Sequence, residues 1–253
     1  MTGFPPRLPA PGLELSPGEI HLWVVRLDPP PQQVEQLGRS LSDDEWQRAN
    51  RFRFEQHRRQ YVVGRGALRA LLAAYLGSRP EQVRFTYGPR GKPFLSEPAA
   101  AESRLFFNLS NSSELALVGF VRGAEIGVDV EFMKPMPDLE QIAERFFSLS
   151  ERETLRALAQ EKKPEGFFNC WTRKEAYLKA VGEGLAAPLD SFDVTLAPGE
   201  PPRMLTLQGD AERAARWRFR HFHPAEEYIG ALAIEGEPEG GGEWKVSTWS
   251  FAV

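Results

Sequence analysis

The chain has 253 residues, of which 42% are hydrophobic and 26% are charged, a usage that excludes a wholly disordered, collagenous or coiled-coil chain. The 31 basic and 35 acidic residues give a net charge of −4, and a single cysteine, Cys170, excludes an internal disulfide and a cysteine-based zinc site. No stretch approaches the apolar length of a membrane span, and residues 1–6 lack the layout of a signal peptide. We therefore expect a cytoplasmic protein that does not bind membranes.

The charge is distributed unevenly along the chain. Seven arginines and one acid, Glu55, lie between Arg48 and Arg69, so this segment has a charge of +6 and the rest of the chain −10. A local excess of positive charge attracts anions. The segment is therefore a candidate docking region for an anionic ligand.

The first half of the chain is predicted to begin after an irregular, Pro- and Gly-rich leader, residues 1–18. A strand is expected over Glu19–Leu27, and the Ser42-x-x-Glu45 spacing predicts the start of a helix. Apolar residues at helical spacing predict a second helix over His57–Leu76, which ends at Gly77.

The rest of the chain mixes strands and helices. Strands are predicted over Val83–Tyr87, Leu105–Leu109, Leu115–Val121, Ile126–Phe132, Trp217–His223, Tyr228–Ile234 and Trp244–Phe251. Helices are predicted over Asp138–Phe147, from the Ser150-x-x-Glu153 spacing, and over Pro164–Val181. Because strands and helices do not alternate regularly, the order favours an α+β fold over a doubly wound parallel sheet.

Two carboxylates lie two residues apart in the run Gly127–Glu131. Strand alternation places Asp129 and Glu131 on one face, with apolar neighbours on the other. Neighbouring carboxylates repel unless a cation lies between them, and Mg²⁺ is commonly held by one or two carboxylates together with phosphate oxygens. A solvated strand face with two surface acids explains the same pattern, so spacing alone leaves both interpretations open.

The helix predicted over Pro164–Val181 carries a third acid and a lysine in one stripe, because Trp171, Glu175 and Lys179 are four residues apart. Glu175 is a candidate third carboxylate for the same cation, with Lys179 neutralising phosphate. An ordinary surface Glu–Lys pair beside a core tryptophan is the simpler explanation of this local pattern.

The turn Gly88–Pro93 offers backbone N–H groups and Lys92 to an anion, or forms a plain hairpin loop. The chain lacks the glycine spacing of a Walker P-loop or a dinucleotide-binding turn. The four histidines show no metal-ligand spacing, and Cys170 is expected to be a buried helix residue.

In this order and spacing, five motifs together resemble the 4′-phosphopantetheinyl transferases of the surfactin-synthetase-activator type. The resemblance covers about residues 20 to 235, and its motifs are Arg90–Pro93, Phe107–Ser112, Ile126–Glu131, Arg145–Ser148 and Trp171–Lys179. It implies transfer of the phosphopantetheine arm of coenzyme A to a serine of an apo acyl or peptidyl carrier protein, with release of adenosine 3′,5′-bisphosphate.

The resemblance also implies an architecture. It predicts two similar α+β halves related by a pseudo-twofold axis, residues 19–124 and 125–253, with the active site between them. One chain would then supply both parts of the site, so a monomer is expected. The segment 182–192 is the expected part of the carrier-protein dock.

Carried over by position, the family's roles fall on a defined set of residues. Asp129, Glu131 and Glu175 would hold Mg²⁺, Lys179 would contact the coenzyme A phosphates, and Glu175 would also be the general base. The remaining expected coenzyme A contacts are Arg48, Arg90, Gly91, Lys92, Pro93, Asn108, Ser110 and Asn111.

One position departs from the family pattern. Asn111 replaces a histidine that is usual in the family, and asparagine donates hydrogen bonds but carries no charge. The expected effect is weaker coenzyme A binding with intact chemistry. Two alternatives stay open: a coenzyme A-binding relative with little turnover, and a nucleic-acid-binding module that uses the arginines with Phe52 and Phe54. The overall acidity argues against nucleic acid as a partner.

Overall fold

The structure is a computed structural model that describes residues 4–182 and 188–252. It confirms the predicted α+β class. The first half of the chain forms β1 (Pro6–Arg7), β2 (Glu19–Arg26), α1 (Pro31–Gly38), α2 (Asp43–Ala49), α3 (Glu55–Leu76), β3 (Phe85–Tyr87), β4 (Pro93–Leu95), α4 (Ala99–Ser103), β5 (Leu105–Ser112) and β6 (Leu115–Arg122).

The second half of the chain forms β7 (Ile126–Phe132), α5 (Leu139–Phe146), α6 (Leu149–Ala157), α7 (Lys163–Val181), β8 (Phe192–Val194), β9 (Met204–Leu207), α8 (Ala211–Ala214), β10 (Trp217–Phe222), β11 (Tyr228–Glu235) and β12 (Lys245–Phe251). None of the helices within the described ranges combines the length and apolarity needed to cross a membrane.

The same order of elements occurs twice. In each half a first strand (β2 or β7) leads through helices to one long helix, then a small hairpin, then a hairpin whose second strand pairs antiparallel with the first strand. The two main sheets are ordered β1-β12-β2-β6-β5 and β10-β11-β7. This repeated order supports the expectation of two similar halves, and the pseudo-twofold relation between them stays a prediction.

The last strand crosses the predicted boundary between the halves. Strand β12 follows the second half in sequence, but it lies in the first sheet, parallel to β2, with Lys245 opposite Glu19 and Trp249 opposite Trp23. The leader is also part of this sheet, since β1 pairs with the other edge of β12. The division of the chain into residues 1–18, 19–124 and 125–253 thus remains a prediction. The first sheet contains strands from both ends of the described chain.

Most predicted helix ends agree with the structure because their signals are local. Helix α3 ends at Gly77, which has a left-handed φ of 63°. The predicted start of α6 is wrong by two residues: Ser148, rather than Ser150, is the N-cap, and its hydroxyl accepts from the Glu151 N–H while its own N–H donates to Glu151. The two Ser-x-x-Glu spacings overlap in the sequence, and the burial of Glu151 selects the earlier one.

The two halves share an apolar core. Ile126, Val128 and Val130 of β7 pack with residues of the first sheet, including Leu22 and Leu117, and all five are buried. One face of β7 therefore joins the halves, and its other face carries the residues that alternate with these three.

Candidate active site

The face of β7 opposite the shared core carries Asp129 and Glu131 and lies against helix α7. Gly127 makes the close approach possible, because a Cβ there would lie 1.9 Å from the carbonyl oxygen of Ala176 in α7. The glycine thus sets the distance between β7 and α7, and so the positions of Glu175 and Lys179 relative to the two acids.

Two side chains from two other elements meet Asp129, which is 2% exposed. Its Oδ1 accepts from Lys179 Nζ at 2.5 Å and from Ser110 Oγ at 2.8 Å. Lys179 also donates to Ser110 Oγ at 2.7 Å. Because Ser110 lies on β5, Asp129 on β7 and Lys179 on α7, this triangle joins the first half to the second.

The second acid of β7 makes a parallel contact to the first half. Ser112 Oγ donates to Glu131 Oε2 at 2.6 Å and accepts from the Phe132 N–H at 3.1 Å. Ser110 and Ser112 alternate along β5 as the acids alternate along β7, so two serine–carboxylate pairs lie side by side at the junction.

The site holds more acid than base. Burial, together with the charges of Asp129 and Glu131, raises the pKa of Glu175 to about 7 against the opposing effect of Lys179. Burial also raises the pKa values of Asp129 and Glu131, and Asp129 adds to the rise at Glu131. Only Lys179 among the described lysines is hydrogen-bonded to these three carboxyl groups, and Lys134 acts on Glu131 from farther away. The excess of carboxyl groups favours binding of a further cation.

Two of these carboxyl groups have oxygen atoms available for a cation. Asp129 Oδ2 and Glu175 Oε1 are buried and have no hydrogen-bond partner within the described part of the chain. Over the same residues, no three acidic, histidine or cysteine side chains form a ready-made metal cage. Mg²⁺ usually takes one or two carboxylates and completes its shell with water and substrate phosphate. The unpartnered oxygens fit that partial ligand set.

A cavity of about 710 Å³ opens beside this junction. Of the predicted coenzyme A contacts, Arg48, Gly91, Pro93 and Asn111 line it, and Ser112, which holds Glu131, lines it as well. The Arg48 guanidinium lies 5.6 Å from the centre of the Tyr61 ring. The structure thus brings four of the predicted coenzyme A contacts together around one cavity next to the carboxylates.

Three predicted coenzyme A contacts lie elsewhere. Lys92 is turned away from the cavity, and its Nζ donates to Glu125 Oε2 at 2.7 Å and to the Ala180 carbonyl at 3.0 Å. Asn108 is buried and its Oδ1 accepts from the Val128 N–H at 3.0 Å, which ties β5 to β7. Arg90 is exposed at the tip of the turn and is not among the residues that line the cavity. The segment 183–187 of the predicted carrier dock lies outside the described residues.

The structure adds cavity residues that the motifs did not indicate. His57, Tyr61 and Arg65 follow one another at four-residue steps on α3 and line the cavity, as does Gln60. That spacing on one helix face was the available signal. Within the arginine-rich segment, Arg65 and Arg69 form ion pairs with the buried Glu45 at 3.1 and 2.7 Å. Both arginines hold Glu45 in place, and Arg65 also lines the cavity, as does Arg48.

Comparison with known proteins agrees with this geometry. A family model described as "4′-phosphopantetheinyl transferase superfamily" matches residues 125–233, and one described as "4′-phosphopantetheinyl transferase, N-terminal" matches residues 26–120. The 4′-phosphopantetheinyl transferase HetI of Nostoc sp. is 43% identical over 241 residues, which are 95% of this chain and 96% of that protein. This chain belongs to the 4′-phosphopantetheinyl transferase family. The resemblance inferred from the five motifs is thereby confirmed.

Two further relatives carry the same family name. A putative 4′-phosphopantetheinyl transferase of Synechocystis sp. is 39% identical over 179 residues, 71% of this chain and 70% of that protein. The 4′-phosphopantetheinyl transferase Sfp of Bacillus subtilis (strain 168) is 29% identical over 179 residues, 70% of this chain and 77% of that protein. The matched region of the superfamily model contains Asp129, Glu131, Glu175 and Lys179.

Proposed function

We propose that this phosphopantetheinyl transferase moves the 4′-phosphopantetheine arm of coenzyme A to a serine of an apo acyl or peptidyl carrier protein, with Mg²⁺, and releases adenosine 3′,5′-bisphosphate. The observation that carries the proposal is the junction itself: three carboxyl groups and Lys179 lie between the halves, beside a cavity lined by Arg48 and Asn111. The family supplies the reaction class, and the junction supplies groups suited to a pyrophosphate ester.

Asp129, Glu131 and Glu175 are the residues that would hold the metal, since Asp129 Oδ2 and Glu175 Oε1 have no other partner in the described chain. When bound, Mg²⁺ supplies charge neutralisation for a pyrophosphate and its leaving group. Lys179 neutralises the same phosphates, and Ser110 keeps its ammonium group in place. Arg48 and Asn111 bind the remainder of coenzyme A along the cavity.

The proposed chemical step is a displacement at phosphorus. The carrier serine oxygen forms a bond to the phosphorus that bears the pantetheine, and the bond from that phosphorus to the adenosine bisphosphate oxygen breaks. Glu175 accepts the serine proton, and the electron pair leaves with adenosine 3′,5′-bisphosphate. The carrier protein thereby gains one phosphopantetheine group. The proposed setting is the cytoplasm, and the proposed active form is a monomer, because both parts of the junction come from one chain.

The test is the intact mass of an apo carrier protein after incubation with this protein, coenzyme A and Mg²⁺. We expect a gain of one phosphopantetheine unit with the wild type, a loss of at least 100-fold in rate for Glu175→Gln, and an unchanged rate for Glu153→Gln, an exposed glutamate of α6. Chelation by EDTA should stop the transfer, and added Mg²⁺ should restore it.

Two results would contradict the proposal. If several apo acyl and peptidyl carrier proteins gain no mass while coenzyme A still binds, the protein is a non-catalytic coenzyme A-binding relative. If Glu175→Gln transfers at the wild-type rate, another group accepts the serine proton.

A further inference from the structure

The hydroxyl group of Ser112 reaches the carboxylate junction from the first half of the chain. Ser112 is the last residue of β5, is partly exposed, and lies on the wall of the cavity of about 710 Å³. Glu131, to which it is hydrogen-bonded, is also partly exposed. Both side chains therefore keep contact with solvent, which a cation needs in order to reach them.

The direction of the hydroxyl proton of Ser112 follows from its two partners. The Phe132 N–H can only donate, and it donates to Ser112 Oγ at 3.1 Å. Glu131 Oε2 lies 2.6 Å from the same Oγ, and an ionised carboxylate can only accept. The hydroxyl proton is therefore directed to Glu131, and the backbone of β7 holds the serine in place.

The two oxygen atoms of Glu131 consequently differ. Oε2 accepts a short, charge-assisted hydrogen bond, which withdraws electron density from that atom and makes it the weaker metal ligand. Oε1 accepts no hydrogen bond from the described residues. Glu131 thus presents one oxygen atom to a cation, with its carboxylate plane fixed by Ser112.

Asp129 shows the same division between its two oxygen atoms. Its Oδ1 accepts from Lys179 and from Ser110, whereas its Oδ2 has no partner within the described part of the chain. Ser110 and Ser112 are two residues apart on β5 and so lie on one face of the strand. Each serine therefore holds one oxygen of one acid of β7 and leaves the other oxygen free.

This division bears on which divalent cation suits the site. Mg²⁺ requires a near-octahedral shell at roughly 2.0–2.1 Å and is held by one or two carboxylates together with water and phosphate. Ca²⁺ is larger, takes roughly six to eight oxygens in a flexible shell, and often binds both oxygens of one glutamate. A glutamate that offers a single, fixed oxygen therefore suits Mg²⁺ better than Ca²⁺.

We propose that Ser112 is a positioning residue that makes this site selective for Mg²⁺ over Ca²⁺, because it limits Glu131 to coordination through one oxygen. The proposal rests on the proposed function, since it takes Glu131 as a metal ligand. Without the hydroxyl group, Oε2 is free to turn toward the cation. Glu131 then gains the two-oxygen coordination that Ca²⁺ accepts and loses the fixed orientation that Mg²⁺ requires.

The test is competition for the metal site of the full chain, without coenzyme A or carrier protein. Mn²⁺ is the probe, because its electron paramagnetic resonance signal falls on binding and returns when Mg²⁺ or Ca²⁺ displaces it. We expect Ser112→Ala to lower the affinity for Mg²⁺ about tenfold, as is usual when a group that orients a metal ligand is removed. The affinity for Ca²⁺ should stay within about twofold of the wild-type value, so that the ratio of the two affinities falls.

Two shape-matched variants keep the test valid if Ser112→Ala folds poorly. Ser112→Thr and Ser112→Val both suit a strand, and only the threonine has a hydroxyl group. Ser112→Thr should keep the wild-type ratio, and Ser112→Val should show the lowered one. Ser247→Ala, at a partly exposed serine of β12 that is separated from β5 by two strands, should leave the ratio unchanged.

Three results would overturn the proposal: an equal fall in both affinities, equal ratios for Ser112→Thr and Ser112→Val, or a wild type that binds no Mn²⁺. The carrier mass assay reports separately on the proposed function. Transfer by the wild type, with an unchanged ratio in Ser112→Val, contradicts the metal selectivity alone. A lowered ratio in Ser112→Val, with no transfer by the wild type, contradicts the proposed function alone.

Discussion

Asn111 occupies the position at which the resemblance predicts a histidine, and it lines the cavity proposed for coenzyme A. The substitution Asn111→His should add a protonatable group beside Arg48 without changing the carboxylate junction. We expect the KM for coenzyme A to fall about 5-fold at pH 6 and low salt, consistent with about 1 kcal/mol for a screened charge pair, with kcat unchanged.

Salt dependence provides the control for the Asn111→His prediction. The gain should shrink at 0.5 M salt, because screening weakens exposed charge pairs. A KM that stays at the wild-type value in low salt would show that Asn111 does not face the coenzyme A phosphates.

Glu175, the proposed general base, is expected to lower the stability of the folded protein when it is ionised. Its pKa is raised from 4.5 in the unfolded chain to about 7 by burial and by Asp129 and Glu131. Between these two pH values the folded state therefore binds more protons than the unfolded state. The free energy of unfolding consequently falls as the pH rises from 4.5 through 7. We expect Glu175→Gln to lose transfer activity with Mg²⁺ present. In EDTA, where no metal can compensate the charge, we expect it to be more stable than the wild type by about 2 kcal/mol at pH 8, with little difference at pH 4.

Urea unfolding at several pH values measures this effect. Glu153→Gln, at an exposed site, should show the same difference from the wild type at every pH. A Glu175→Gln variant that is no more stable than the wild type at pH 8 would show that its carboxyl group ionises without cost in the folded protein.

At the scale of elements, the packing of α7 on β7 depends on Gly127. An added methyl group there would lie 1.9 Å from the Ala176 carbonyl and 2.4 Å from the Ala180 nitrogen, both in the helix backbone, which cannot rotate away. Gly127→Ala should displace α7, lower stability by about 2–3 kcal/mol, and reduce transfer at least 100-fold, since about 1 Å of displacement at an active site has that effect.

A matched substitution separates this effect from the general effect of replacing glycine. In Gly64→Ala, within α3, the new methyl group meets Leu27 Cδ2 at an ordinary 3.5 Å. It should gain up to about 1 kcal/mol of stability from helix propensity. Because Gly64 lines the cavity proposed for coenzyme A, the activity to compare is kcat at saturating coenzyme A, which should be retained. Equal activity of the two variants, measured with the mass assay, would contradict the role given to Gly127.

At this scale, the sequence predicts features that depend on residues close together in the chain, and it does not predict features that depend on contacts between distant residues. Strand Ile126–Phe132 has the predicted bounds, because alternation and the flanking glycine are local. The start of α6 was misplaced, because choosing between Ser148 and Ser150 requires knowing that Glu151 is buried. Lys92 shows the same limit, since its contacts with Glu125 and Ala180 are made by residues distant in sequence.

At the scale of the whole molecule, the motifs predicted that the carboxylates lie together. They did not predict that β12 pairs with β2 of the first sheet. Trp249 of β12 packs on Trp23 and His21 of β2, with ring centres 5.1 and 4.6 Å apart. A pattern of alternating residues predicts a strand but does not say which sheet it joins.

This pairing predicts that the two halves of the chain do not fold independently. A fragment of residues 1–124 lacks β12 and so leaves β2 without its parallel neighbour. We expect that fragment to show no cooperative thermal unfolding by circular dichroism, and mixing it with residues 125–253 to restore both the transition and transfer activity. Cooperative unfolding of residues 1–124 alone would contradict this expectation.

The position of β12 also bears on how the protein forms during synthesis. Lys245 pairs with Glu19, 226 residues earlier, so at 5–20 residues per second the edge of β2 waits roughly 11 to 45 s for its partner. Contacts of such sequence separation slow folding. The junction of Ser110, Asp129 and Lys179 can form earlier, but the first sheet is completed only after both halves have left the ribosome.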